Sequence, residues 1–68
     1  MYIGVYIKRK ERRMTQEQVA QKVGMKTDTY SKKENGSYDF TVREGLKIAE
    51  FYGCTLDDLF RSDLHETA

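Results

Sequence analysis

Sixty-eight residues, 38% of them hydrophobic and with a formal net charge of +1, make one small domain, near the size at which a core supplies only ~3–5 kcal/mol of net stability unless something such as oligomerisation adds to it. The single cysteine, Cys54, excludes an internal disulfide and suits a reducing compartment. No apolar run approaches the ~20 residues of a membrane span, and the apolar residues 1–7 precede the basic ones, the reverse of a secretory signal, so a cytoplasmic protein is expected.

Residues 2–13 read as a first helix, free of Pro and ending in Lys8, Arg9, Lys10, Arg12 and Arg13, cations that suit a helix C-terminus. Val5 and Arg9, at i and i+4, share a face with Tyr2 and Tyr6 beside them. The apolar stripe is too wide to choose one buried face, and β-propensity there leaves a short strand open. Met14 is expected to pack at the join. At Thr15-x-x-Gln18 the hydroxyl can accept from the Gln18 backbone N–H while the Gln18 amide reaches back, the reciprocal signature of a helix start. Val19, Ala20 and Val23 form the apolar face of the helix that follows, and Gly24 stops it, because glycine alone adopts the left-handed conformation without steric cost.

A further helix fits residues 27–34, with Tyr30 inward and Asn35-Gly36 at its end. Two such helices joined by a short turn containing Gly are a helix-turn-helix. Thr41-x-x-Glu44 repeats the capping box ahead of a helix over residues 42–52, whose core candidates are Val42, Leu46, Ile48, Ala49 and Tyr52. Gly45 inside it costs roughly 1 kcal/mol relative to alanine. Gly53 ends that helix, Thr55 can cap the next, and Leu56, Leu59 and Phe60 repeat at i, i+3 and i+4 with Asp57 and Asp58 in the first turn. Residues 62–68 carry no pattern beyond Leu64 and are expected to fray, leaving 1–61 as the domain.

The charge is unevenly placed. Residues 1–34 hold nine Lys/Arg against four Asp/Glu, and residues 35–68 hold three against seven. A basic half containing the two-helix motif suits a phosphate-facing surface with the acidic half turned away, although charge alone fits ordinary solvated surface equally well.

An all-α bundle of five short helices around a helix-turn-helix resembles the DNA-binding domain of lambdoid phage repressors, Cro proteins and regulators of the xenobiotic-response-element type. The likeness rests on Gln16 at the start of helix two, Ala20 where the two helices touch, Gly24 in the turn, Glu34-Asn35-Gly36, Leu46 to Ala49 (LKIA) with Gly53, and Leu56 to Phe60 (LDDLF), and it spans about residues 5–60. It implies that the helix starting near Thr27 enters the major groove. Thr27, Asp28 and Lys32 are then the base-reading candidates: Thr27 toward a base or a thymine methyl, Lys32 toward guanine, and Asp28 toward cytosine N4 or, equally, toward its own helix dipole. Gln16, Lys26, Asn35, Ser37 and Arg43 are the phosphate candidates, with Tyr38 behind them. Arg9 and Glu34 resemble a family pair tying helix one to the end of the recognition helix.

Departures from the family pattern are Lys26 in place of a capping Ser or Thr, Lys33 where an apolar residue is common, its ammonium expected in water, and Phe40 in place of a loop proline. A homodimer is expected, since one recognition helix reads only a few base pairs. Phe40, Leu56, Asp57 and Phe60 are the contact candidates, unless they close the monomer core instead. The partner implied is double-stranded DNA, read as a palindromic operator by a repressor. Cys54 has no His nearby, His65 is isolated, and no Gly-rich phosphate loop or metal-ligand cluster occurs, so neither catalysis nor a cofactor or metal is expected. The rival reading is an antitoxin-like module that binds protein with the same fold, and any effector is expected to be another protein or to be absent.

Overall fold

Threonine and glycine punctuate the chain. Thr15 and Gln18, Thr41 and Glu44, and Thr55 and Asp58 each exchange side-chain and backbone hydrogen bonds of 2.8–3.1 Å, so three helices begin in reciprocal caps. At the other ends the carbonyl of Ala20 accepts from Met25 N–H (2.8 Å), that of Lys32 from Ser37 (2.9 Å) and that of Ala49 from Cys54 (2.9 Å), the closing bonds of Schellman motifs. Gly24 (φ 74°) supplies the left-handed residue in the helix-turn-helix turn. The computed structural model describes residues 1–65, with side-chain surroundings to residue 61, and these signals divide it into α1 (Ile3–Glu11), α2 (Gln16–Lys22), α3 (Thr27–Glu34), α4 (Val42–Tyr52) and α5 (Leu56–His65), with no strand among the described residues. α5 runs four residues past Arg61, into the segment expected to fray; residues 66–68 of that segment lie outside the described residues.

The stretch expected as the first helix is helical over Ile3–Glu11 and forms no strand, with Tyr2 extended before it and Arg13 left-handed after it (φ 55°). Val5 and Arg9 turn inward, and the Tyr2 N–H donates to the Glu34 carbonyl (2.8 Å), fastening the start of α1 to the end of α3. The core comprises Val5, Val19, Ala20, Val23, Tyr30, Ile48, Ala49, Tyr52 and Leu59, with Met14, Met25 and Phe51 packed against it. Burying a large aliphatic side chain contributes ~1.5–3 kcal/mol, and each helix buries at least one large apolar residue: Val5, Val19, Tyr30, Ile48 and Leu59. Phe40 and Phe60 join Tyr2 and Tyr30 in an aromatic cluster with ring centroids 5.3–6.1 Å apart, within the range where tilted and edge-on pairs are favoured. The Tyr2 hydroxyl also meets the Asp39 carboxylate.

Two expectations are corrected. Val42 and Leu46 are 73% and 53% exposed, not core. The inward face of α4 is Gly45, Ile48, Ala49 and Tyr52, because a Cβ on Gly45 would lie 3.0 Å from Leu56 and 3.1 Å from Phe60: α5 docks into the missing side chain and rotates Val42 and Leu46 outward. The Lys33 ammonium is not in water either; it donates to both Glu44 oxygens (2.7 and 2.8 Å), linking α3 to α4. Burial pushes the Glu44 carboxyl up, but the Lys33 and Thr41 hydrogen bonds outweigh it and hold the group below its usual range.

Candidate nucleic-acid interface

The position of α3 is set from behind by one carboxylate. Glu34, buried at the end of α3, accepts from Arg9 Nε and Nη2 (both 3.0 Å), from Gln16 Nε2 (3.0 Å) and from the Tyr30 hydroxyl (2.7 Å). The third guanidinium nitrogen of Arg9, Nη1, donates to the Met14 carbonyl (2.9 Å). One side chain thus joins α1, α2 and α3, and the two-pronged Arg9 contact fixes orientation as a single bond could not. Burial pushes the Glu34 carboxyl up, yet the hydrogen bonds from Arg9, Tyr30 and Gln16 together hold it below its ordinary value. The hydrogen bond to Glu34 raises Arg9 against the desolvation that opposes it, and burial pushes the Tyr30 phenol far up. The Arg9–Glu34 pairing expected by resemblance is present; the parts taken by Tyr30 and Gln16 were not legible, since they depend on how the helices cross.

Thr27, Asp28 and Lys32 are all exposed: Asp28 and Lys32 lie opposite Tyr30 on α3, and Thr27 is uncovered as the first residue of the helix. Helical spacing puts Ser31, half-buried, between Thr27 and Lys32 on the same face; its position four residues after Thr27 was the available signal. The Asp28 carboxylate accepts from the Thr29 N–H (3.0 Å), which is the dipole role weighed above. No side chain caps α3: Lys26 stands at the N-cap and is exposed.

After α3 the chain folds back tightly. The Lys32 carbonyl accepts from Ser37 (2.9 Å) and Tyr38 (3.3 Å), and the Asn35 side-chain oxygen also accepts from the Ser37 N–H (2.8 Å). The Tyr38 ring is brought within 6.0 Å of the Lys32 ammonium, a cation–π distance. Lys26, Asn35, Ser37 and Tyr38 are thereby all exposed around the two ends of α3. Gln16 is half-buried, its amide nitrogen directed to Glu34. Arg43 is exposed in the first turn of α4.

Of the expected dimer residues, Phe40, Leu56 and Phe60 are half-buried and line a groove of about 220 Å³ with Val42. Asp57 is exposed and paired with Arg61 (2.7 Å). Among the described residues no group of three or more His, Cys, Asp or Glu could hold a metal ion, and burial pushes the Cys54 thiol up, away from the reactive thiolate. No helix among them is long and apolar enough to cross a membrane.

The comparisons with known proteins agree with this geometry. The family model for helix-turn-helix proteins matches residues 5–59. An HTH-type transcriptional regulator of Methanocaldococcus jannaschii is 38% identical over 47 residues, covering 69% of this chain and 71% of that protein. Another, of Archaeoglobus fulgidus, is 40% identical over 53 residues, covering 78% and 76%. No solved structure matches significantly. The family match runs from the Val5 that α1 buries to the Leu59 that α5 buries, taking in the whole Glu34-centred support of α3, and on that ground the chain belongs to the helix-turn-helix DNA-binding proteins of the Cro/CI type.

Proposed function

We propose that this protein is a cytoplasmic transcription regulator that lays α3 in the major groove of a palindromic operator and acts as a repressor in the form of a homodimer. The observation that carries the reading is the contrast along α3: Tyr30 and Glu34 are buried and hydrogen-bonded, while Thr27 at its first turn and Asp28 and Lys32 opposite Tyr30 are exposed. A helix held so firmly presents its polar edge to base pairs with little ordering left to occur on binding. Thr27 and Lys32 read base edges, with Ser31 between them, and Asp28 has the lesser part because its carboxylate serves its own helix. Lys26, Asn35 and Ser37, with Tyr38, approach phosphates on either side. Gln16 supports this contact by holding the start of α2 against Glu34. The names carried by the archaeal relatives support regulation of transcription as the setting. Repression is the simplest outcome, since occupying an operator needs no further contact with the transcription machinery.

Two variants separate the roles. Lys26→Ala is expected to weaken binding similarly on every duplex and to reduce the slope of log affinity against log salt by ~0.9 for the lost phosphate contact. Thr27→Ala is expected to leave that slope unchanged and to relax discrimination at one base position by ~1–3 kcal/mol. Fluorescence-anisotropy titrations at several salt concentrations, on an operator and its single-base variants, measure both. An unchanged slope removes Lys26 from the interface, and an unchanged base profile removes Thr27.

A further inference from the structure

The outer face of α4 is unexplained by the DNA-binding surface. Val42 and Leu46 are exposed apolar side chains one turn apart, and Arg43, Lys47 and Glu50 complete the same shallow groove. The charges at its two ends run against the helix: Arg43 stands in the first turn, where the dipole favours an anion, and Glu50 in the last, where it favours a cation. Among the described residues neither has an ion-pair partner, and, seven residues apart and so about 10.5 Å along the axis, they cannot reach one another within one helix. Glu44 serves the dipole at the first turn, so Arg43 and Glu50 are left as exposed, opposite charges at the two ends of an exposed apolar stripe.

We propose that this face is the subunit contact of the homodimer, formed by two α4 helices packed antiparallel about a two-fold axis near Leu46. The inference rests on the homodimer reading above and names its surface. Reversing α4 end to end about Leu46 sets Leu46 against Leu46 of the partner subunit and brings Arg43 to within about one residue's rise of Glu50 of the partner subunit, twice by symmetry. At Arg43 and Glu50 the face is therefore complementary to itself, as an isologous contact requires, while Lys47, one residue from the axis, comes near Lys47 of the partner subunit and has to turn its ammonium to solvent. Val42 continues the patch into the groove lined by Phe40, Leu56 and Phe60, so the residues singled out from the sequence border the contact and α4 forms its centre. Arg43 thereby belongs to the subunit contact and not to the phosphate-facing set.

The test is sedimentation equilibrium of the full chain with Arg43→Glu, Glu50→Arg, their equimolar mixture and the double swap. Both substitutions suit the helix dipole better than the native residues do, so folding is not at issue. The native chain is expected to form dimers, and each single swap to raise the dimer dissociation constant roughly tenfold or more by facing like charges. In the mixture, a subunit with two acidic ends to this face meets one with two basic ends, so both contacts pair opposite charges. The mixture and the double swap are each expected to restore association. A native dimer indifferent to the swaps, or single-swap losses that neither mixing nor the double swap repairs, would overturn this surface while leaving the homodimer standing. A chain that stays monomeric at every concentration would overturn both.

Discussion

Glu34→Leu alone is expected to destabilise the protein by about 3–5 kcal/mol, because it leaves the Arg9 guanidinium buried without its partner. A domain of this length has a total stability of only about 3–10 kcal/mol, so the loss is on the order of a third of the total or more and should lower the urea midpoint accordingly. Arg9→Met together with Glu34→Leu should be tolerated far better than either change alone, since removing both charges also removes the desolvation penalty. Urea denaturation of the four proteins in that cycle measures the coupling, and additive losses would mean that the contact does not act as a pair. The same carboxylate sets an acid limb. Because its folded value is held below the ordinary 4.5, Glu34 contributes stability that is fully present above 4.5 and is lost as pH falls through the lower, folded value. Native protein should lose stability with acidification across that window, and the double variant should lose less.

Gly4→Ala is expected to destabilise the fold even though alanine is the better helix former by ~1 kcal/mol. An added Cβ would overlap the Leu59 carbonyl oxygen and stand 2.8 Å from its carbon, backbone atoms that cannot step aside as a side chain can. α1 and α5 would have to separate, withdrawing the fully buried Val5 and Leu59 from the core, and overpacking of this kind typically costs ~1–3 kcal/mol. Gly45→Ala is the control: its Cβ would meet the flexible ends of Leu56 and Phe60 at 3.0–3.1 Å, so the rise in helix propensity should offset much of the crowding. Thermal unfolding of the two variants should therefore separate them, with Gly4→Ala melting well below Gly45→Ala. Equal melting temperatures would mean that α1 and α5 are not in backbone contact.

These cases show what local sequence reveals and what it conceals. Thr15-x-x-Gln18 and Thr41-x-x-Glu44 were legible because a cap is made by residues three apart, and the structure contains both. Gly24 was legible because a turn of that geometry excludes a Cβ locally. Gly4 and Gly45 were not, since each is required by α5, a separate helix whose docking no local spacing encodes. The same cause misplaced Val42 and Leu46: their spacing suits a buried stripe, but which stripe of α4 is buried depends on where α5 docks. In the candidate site Thr27, Asp28 and Lys32 were pointed to by the family resemblance, and phase against Tyr30 alone singles out only Asp28 and Lys32, whereas the engagement of Gln16 with Glu34 depends on the crossing of α2 and α3, which no spacing encodes.

The proposed function makes the exposed edge of α3, beginning at Thr27, a reading surface for duplex DNA. Selection of bound sites from a pool of random duplexes by the purified protein tests it most directly. Recovery of a palindrome whose half-sites are centred about one helical turn apart is the predicted result; a bound pool with no sequence enriched over the starting one would contradict it.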